Sequence, residues 1–290
     1  MKGICILAGL ACGLLTAQEN TEVFLVEMNQ NDRKINFAAA ENISQNPDYD
    51  NQPSFYNDRT LLYSRTVDSL TEIAAYHLDE KSFRIVNQKN DAMEYSPQHM
   101  PSSENIVSVR EKEGEQRLTV FDFETGLMLD KIYDRQIGYF AFYDKKNAIA
   151  TILNGNSMHL YAIDFEKKQD TLLLKNVGRS VHKTPRDGMM SYSLPNEEQN
   201  YDVYLLDMQT LESIYVCELP VGVQDYAWLD RDQILIGSRN QLFVYDTFGK
   251  QEWEQIAQFE DQKIEKITRI AVSPDGKHLA FAAIIATEAP

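Results

Sequence analysis

Ten side chains in this sequence have the types and the spacing to build a recognition site. They are Tyr49, Asp50, Tyr95, His99, Tyr139, Arg179, His182, Asp225, Tyr226 and Arg269, and they recur along the chain close to short apolar runs. Two chemistries are open to them. Tyr and Arg bury large areas at modest entropic cost, which suits contact with a partner. Asp50, His99, His182 and Asp225 instead offer oxygen and nitrogen donors, and oxygen donors drawn together from several segments would suit Ca²⁺. Asn51, Gln98 and Lys183 flank these positions, and Arg179, His182 and Lys183 form a small basic group able to hold an anion.

Other chemistry is not written in the chain. There is no Gly-x-Ser-x-Gly nucleophile elbow, no His-Glu-x-x-His, no paired Cys-x-x-Cys and no phosphate-cradling glycine loop. Cys217 lies in the apolar run Ile214 to Leu219, where a buried, inert thiol is expected. The formal net charge is −16, from 28 Lys and Arg against 44 Asp and Glu. Such a surface repels nucleic acid and anionic lipid alike, and it favours solubility.

The elements that must position the ten residues follow from a repeat. An aromatic residue or Thr, two further residues and an acid recur as Tyr76 to Asp79, Thr119 to Asp122, Tyr161 to Asp164, Tyr204 to Asp207 and Phe243 to Asp246. The acids stand 43, 42, 43 and 39 residues apart (79 to 122, 122 to 164, 164 to 207, 207 to 246). That period fits the four strands of a propeller blade. The acid is expected to open a turn by accepting backbone N–H bonds. A sixth copy, Phe24 to Glu27, lies near the N-terminus.

A hairpin precedes each later copy. The fullest is Ile270 to Phe281, where Pro274 presets φ, Asp275 bonds back to the backbone and Gly276 supplies a positive φ. Shorter turns stand at Asn57-Asp58-Arg59, Ser102-Ser103-Glu104, Asp144-Lys145-Lys146, Arg186-Asp187-Gly188 and Asp230-Arg231-Asp232. The chain therefore begins with an acid-ended strand and finishes with a hairpin that has none. Residues 22–38 are expected to supply the outer strands, and 268–286 the inner strands, of one shared blade. Five full blades plus this composite give an all-β, six-bladed β-propeller whose ring leaves no long open edge.

Ser273-Pro274-Asp275-Gly276-Lys277, followed by Leu279-Ala280-Phe281, resembles the WD40-like (PD40) repeat of TolB propellers, and Asn51 to Phe55 leading into Leu61-Leu62-Tyr63 is similar to it with a trimmed turn. The resemblance covers nearly all of residues 18–290, which are expected to form one propeller domain. It departs from TolB in lacking an α/β domain ahead of the propeller, so it carries over a fold and not a TolB-specific partner.

Lys2, the apolar run Ile4 to Leu15 and the small Ala17 read as a secretory leader, residues 1–17, with cleavage near Ala17. The run is shorter than the roughly 20 residues a membrane span needs. Gly9-Leu10-Ala11 before Cys12 is a poor lipobox, so no lipid anchor is expected, and the Ala17-Gln18 junction resembles exported proteins of the Bacteroidetes group. Asp68-Ser69-Leu70 and Asp170-Thr171-Leu172 resemble the O-glycosylation triplet of that group. The expectation is a monomeric periplasmic or secreted scaffold that needs no cofactor. It would recognise a protein, peptide or glycan of the cell envelope with residues on the propeller's top face. The alternative is a propeller enzyme (a lyase, lactonase or glycosidase) with a channel-mouth site and Ca²⁺ dependence.

Overall fold

The computed structural model describes residues 20–31, 34–89, 91–260 and 263–286. The expected leader lies outside them. Among the described residues every regular element is a strand, and the strands form six antiparallel sheets arranged as the blades of a propeller.

Each of the first five blades is a meander of four strands that runs outward from the central channel. Blade 1 comprises Asp50–Asn57, Thr60–Val67, Leu70–His77 and Ser82–Ile85. Blade 2 runs from Met93–His99 to Met128–Tyr133, and blade 3 from Ile137–Phe142 to Gln169–Leu174. Blade 4 runs from Val181–Lys183 to Ser213–Glu218, and blade 5 from Ala227–Trp228 to Trp253–Gln258. Blade 6 joins the two ends of the chain. Ile264–Val272 and His278–Ile285 form its inner half, and Thr21–Asn31 with Lys34–Phe37 its outer half. The joint is an antiparallel ladder from Thr21 opposite Ile284 to Glu27 opposite His278. This is the closure that the truncated repeats at both ends imply.

Period-2 alternation explains why the middle strands are apolar on both faces. In blade 1, Leu61, Tyr63, Ala74 and Tyr76 pack toward blade 6, whereas Leu62, Ile73 and Ala75 pack toward blade 2. The same division recurs round the ring, so the core is not one mass but six apolar seams between neighbouring blades. At the closing blade, Phe24 stacks on Phe281 at 5.2 Å and Phe259 tilts against it at 5.1 Å.

All six hairpin turns lie between the first and second strands of their blades. Gly276 has φ +68°, as its turn requires. The neighbouring Asp275 N–H donates to Asp58 Oδ1 of blade 1 at 2.9 Å, which ties the closing blade to the first on the bottom face. The recurring acids open turns in four blades. Asp122 Oδ1 accepts from Thr125 N at 2.7 Å, Asp164 Oδ1 from Lys167 N at 2.8 Å, Asp207 Oδ1 from Gln209 N at 2.7 Å, and Asp246 Oδ1 from Gly249 N at 2.7 Å. Blade 1 differs. Register places His77, opposite Thr60, where the other blades carry the acid, and Asp79 instead pairs with Arg59 at 2.7 Å.

Candidate functional site

Strand direction alternates within a blade, so two sets of loops share the top face. One set enters each innermost strand; the other joins the second strand to the third. Together they surround a cavity of about 1200 Å³ at the mouth of the channel. The inner segment of every blade lines it, and six of the ten expected residues do so, one in each blade: Tyr49, Tyr95, Tyr139, Arg179, Asp225 and Arg269, in blade order.

Tyr139, Arg179, Asp225 and Arg269 make contacts across the channel as well as along the ring. Arg269 of blade 6 lies over the Tyr139 ring of blade 3, with its guanidinium carbon 5.0 Å from the centroid, in cation–π geometry. Its Nη1 pairs with Asp225 Oδ1 at 3.3 Å. Arg179 of blade 4 reaches past blade 5 and donates from Nη2 to the Thr268 carbonyl at 3.1 Å. Asp225 also accepts from Ser180 Oγ at 2.8 Å and, through Oδ2, from the Ile270 N–H at 3.1 Å.

The electrostatics follow from burial and from this pairing. Burial by itself would raise the Asp225 pKa, but Arg269, then His182, Arg179 and the Ser180 hydroxyl, outweigh it and hold the carboxyl below the usual range. Asp225 is therefore a fixed anion. Burial and the nearby Arg269 both depress Arg179, partly opposed by Asp225, and among the described residues no carboxylate lies within ion-pair distance of it. Burial raises the Tyr49 hydroxyl, against the pull of Arg269, so it stays protonated and can donate.

The other four expected residues lie elsewhere. Asp50 is fully buried and pairs with Arg65 at 2.8 Å, and its Oδ1 accepts from Asn46 Nδ2 at 2.9 Å. His99 Nε2 lies 2.7 Å from the Ser103 carbonyl, and its ring packs 4.4 Å from that of Tyr56 in the seam between blades 1 and 2. Tyr226 is wholly buried and donates to Ser191 Oγ at 3.0 Å. His182 packs on Tyr226 at 4.5 Å, and burial lowers its pKa against the pull of Asp225. Lys183 is exposed on its strand, so Arg179, His182 and Lys183 do not form one anion hole.

Asp50, His99, His182 and Asp225 thus engage different partners. No group of three His, Cys, Asp or Glu side chains suited to a metal comes together among the described residues. Cys217 is buried, and burial pushes its thiol up to about 12. Ser69 and Thr171 of the two glycosylation-like triplets are both exposed.

Tyr201, Gln52 and Thr268 also line the mouth, and sequence reading missed them. Tyr201 begins the third strand of blade 4, so it follows a turn between second and third strands. Alternating strand direction alone would have placed that turn on the top face.

No family model matches the sequence, and no curated protein matches it. Solved structures do. A TolB-type protein of Agrobacterium tumefaciens superimposes with a TM-score of 0.71 at 12% identity, over 92% of this chain and 100% of that one. TolB of Acinetobacter baumannii gives 0.61 at 13% identity over 91% of this chain, which spans 63% of the longer protein. An oligogalacturonate lyase of Vibrio parahaemolyticus gives 0.51 at 10% identity, over 92% of this chain and 98% of that one. At such identities the likeness is one of architecture. In the described residues no helix is long and apolar enough to cross a membrane. Blade count, strand order and superposition agree that this chain folds as a TolB-like six-bladed β-propeller.

Proposed function

We propose that the chain is an exported binding or scaffold protein that recognises a protein, peptide or glycan of the cell envelope at the mouth of its channel. The observation that carries this reading is the convergence of inner segments from all six blades on a single open cavity, where Tyr49, Tyr95, Tyr139, Arg179 and Arg269 bring Tyr and Arg side chains from five of them. Such side chains bury wide area with few rotatable bonds, as binding surfaces need. The net charge of −16 and the secretory pattern of residues 1–17 support a periplasmic or secreted setting.

A channel-mouth enzyme of lyase, lactonase or glycosidase type has less support. Asp225, the acid among the six, already accepts from Arg269, Ser180 and Ile270, so it is poorly placed to take a proton from a substrate.

Site-specific photocrosslinking in cells tests the binding reading. A benzophenone side chain at Tyr95, in the mouth, should trap a discrete partner, and the same group at Lys145, in a bottom-face turn, should not. Equal labelling from both positions, or none from Tyr95, would discard the reading. Metal analysis of the purified protein addresses the enzyme, since a stoichiometric divalent ion would favour it.

A further inference from the structure

We infer that the mouth takes a single carboxylate, presented by a peptide segment, against the guanidinium of Arg179. This rests on the binding reading above and narrows it to one ligand chemistry.

Charges in the mouth are unequally paired. Around Asp225 the mouth sets two arginines, Arg179 and Arg269. Asp225 is consumed by Arg269, Ser180 Oγ and the Ile270 N–H, at 3.3, 2.8 and 3.1 Å. Arg179 makes one hydrogen bond, to a neutral carbonyl, although a guanidinium carries five donors. Its Nε is buried without a partner. A cation left in this state attracts an anion strongly, because the wall of the cavity screens it less than water would. A planar carboxylate matches the guanidinium fork. The Tyr49 hydroxyl, kept protonated, is a further donor lining the same cavity.

The surroundings limit how much negative charge can follow. Glu111 and Glu265 also line the mouth, as do Arg239 and Lys266, and the whole chain carries −16. A polymer with an acid on every unit would set its further carboxylates against the two glutamates. One anionic group flanked by neutral residues meets the Arg179 guanidinium without setting further carboxylates against Glu111 and Glu265. A peptide with a single Asp, Glu or C-terminal carboxylate has that pattern.

The test uses the purified full chain and three N-acetylated tetrapeptides. One carries a single glutamate and an amidated end, one replaces it with glutamine, and one is the glutamine peptide with a free C-terminal carboxylate. Trigalacturonate and inorganic phosphate serve as polyanion and non-carboxylate probes. The glutamate or the free-end peptide should bind about tenfold or more tightly than the neutral one, and comparison of the two identifies the carboxylate's source. Arg179→Gln should remove that advantage, Arg179→Lys should keep part of it, and Lys183→Gln should change nothing. Circular dichroism confirms that each variant is folded; if Arg179→Gln is not, Arg179→Lys carries the comparison.

Equal affinity for all three peptides, no binding of either carboxylate peptide in the millimolar range, or a preference for trigalacturonate or phosphate would each overturn the inference. So would an advantage that survives loss of Arg179. Photocrosslinking from Tyr95 separates the two failures. A trapped partner without carboxylate selectivity removes only the inference, and the absence of both removes the binding reading as well.

Discussion

Two regions of this propeller bury arginines beside carboxylates, and they do so with opposite stoichiometry. In blades 1 and 2 acids are in excess. Asp50 pairs with Arg65 at 2.8 Å, close to the buried Glu22, and Glu94 pairs with Arg110 at 2.6 Å, close to the buried Glu72. Burial outweighs the arginines there, raising Asp50 to about 6 and Glu94 to about 7. Around Asp225 in the channel mouth arginines are in excess, and its carboxyl is held below the usual carboxylate range. Hence an acid-rich seam can relieve itself by taking up a proton. Two arginines about one aspartate have no such exit, because arginine keeps its proton at any physiological pH. The carboxylate ligand inferred above would supply the missing counter-charge.

Asp225→Ala should produce the largest effect on stability. It leaves Arg269 buried without its counter-charge and orphans the Ser180 hydroxyl and the Ile270 N–H. The expected cost is about 3–5 kcal/mol, read from urea denaturation. A loss similar to that of a surface substitution would show that the mouth is not under electrostatic strain.

Arg110→Met should cost somewhat less, and its cost should depend on pH. Glu94, stripped of its partner, can neutralise itself by protonation. The loss should therefore be smaller at about pH 5 than at about pH 8. A cost independent of pH would put the two regions on the same footing.

Wild-type stability should itself slope with pH because of the raised acids. A carboxyl whose folded pKa lies above its unfolded value stabilises the fold while protonated. That contribution is complete below the unfolded pKa, and it is lost as pH rises through the folded one. For Asp50 and Glu94 the decline spans the interval from about pH 4 to about 7, from their ordinary values of 3.8 and 4.5 to about 6 and about 7. Melting temperature should fall across it, and Glu94→Gln should flatten the slope. A slope unchanged by that substitution would remove Glu94 as its source.

The smallest effects are expected at Arg179 and Asp246. Arg179→Gln should alter stability by less than about 1 kcal/mol, because the native state loses one hydrogen bond to a carbonyl and one uncompensated charge. Asp246→Ala removes an exposed turn acceptor whose donors water can satisfy, for about 0.5 kcal/mol. If Arg179→Gln were as damaging as Asp225→Ala, its charge would be structural rather than available to a ligand.

Much of the architecture was legible in the sequence because a propeller is periodic. The acids at Asp122, Asp164, Asp207 and Asp246 recur because each opens the same turn. The incomplete repeats at Phe24 to Glu27 and Ile270 to Phe281 imply closure because a sheet cannot leave a half-blade unpaired. Blade 1 escaped that logic. His77 occupies the register position there, and an Asp two residues later satisfies the pattern by eye but not by geometry.

The site was only partly legible. Linear order marks which residues approach the inner strands, and this much places Tyr49, Tyr95, Tyr139, Arg179, Asp225 and Arg269 in the mouth. It cannot separate them from Asp50 and Tyr226, which are adjacent in sequence but point across the pleat into seams. Nor can it pair residues from opposite sides of a ring. Arg269 over Tyr139 joins blades 6 and 3, and Arg179 to Thr268 joins blades 4 and 6. The sequence by itself determined strand period, blade count and the way the ring closes, because these depend on local turns and alternation. The tertiary structure alone decided which charges share a cavity, because those contacts cross the channel and depend on its width.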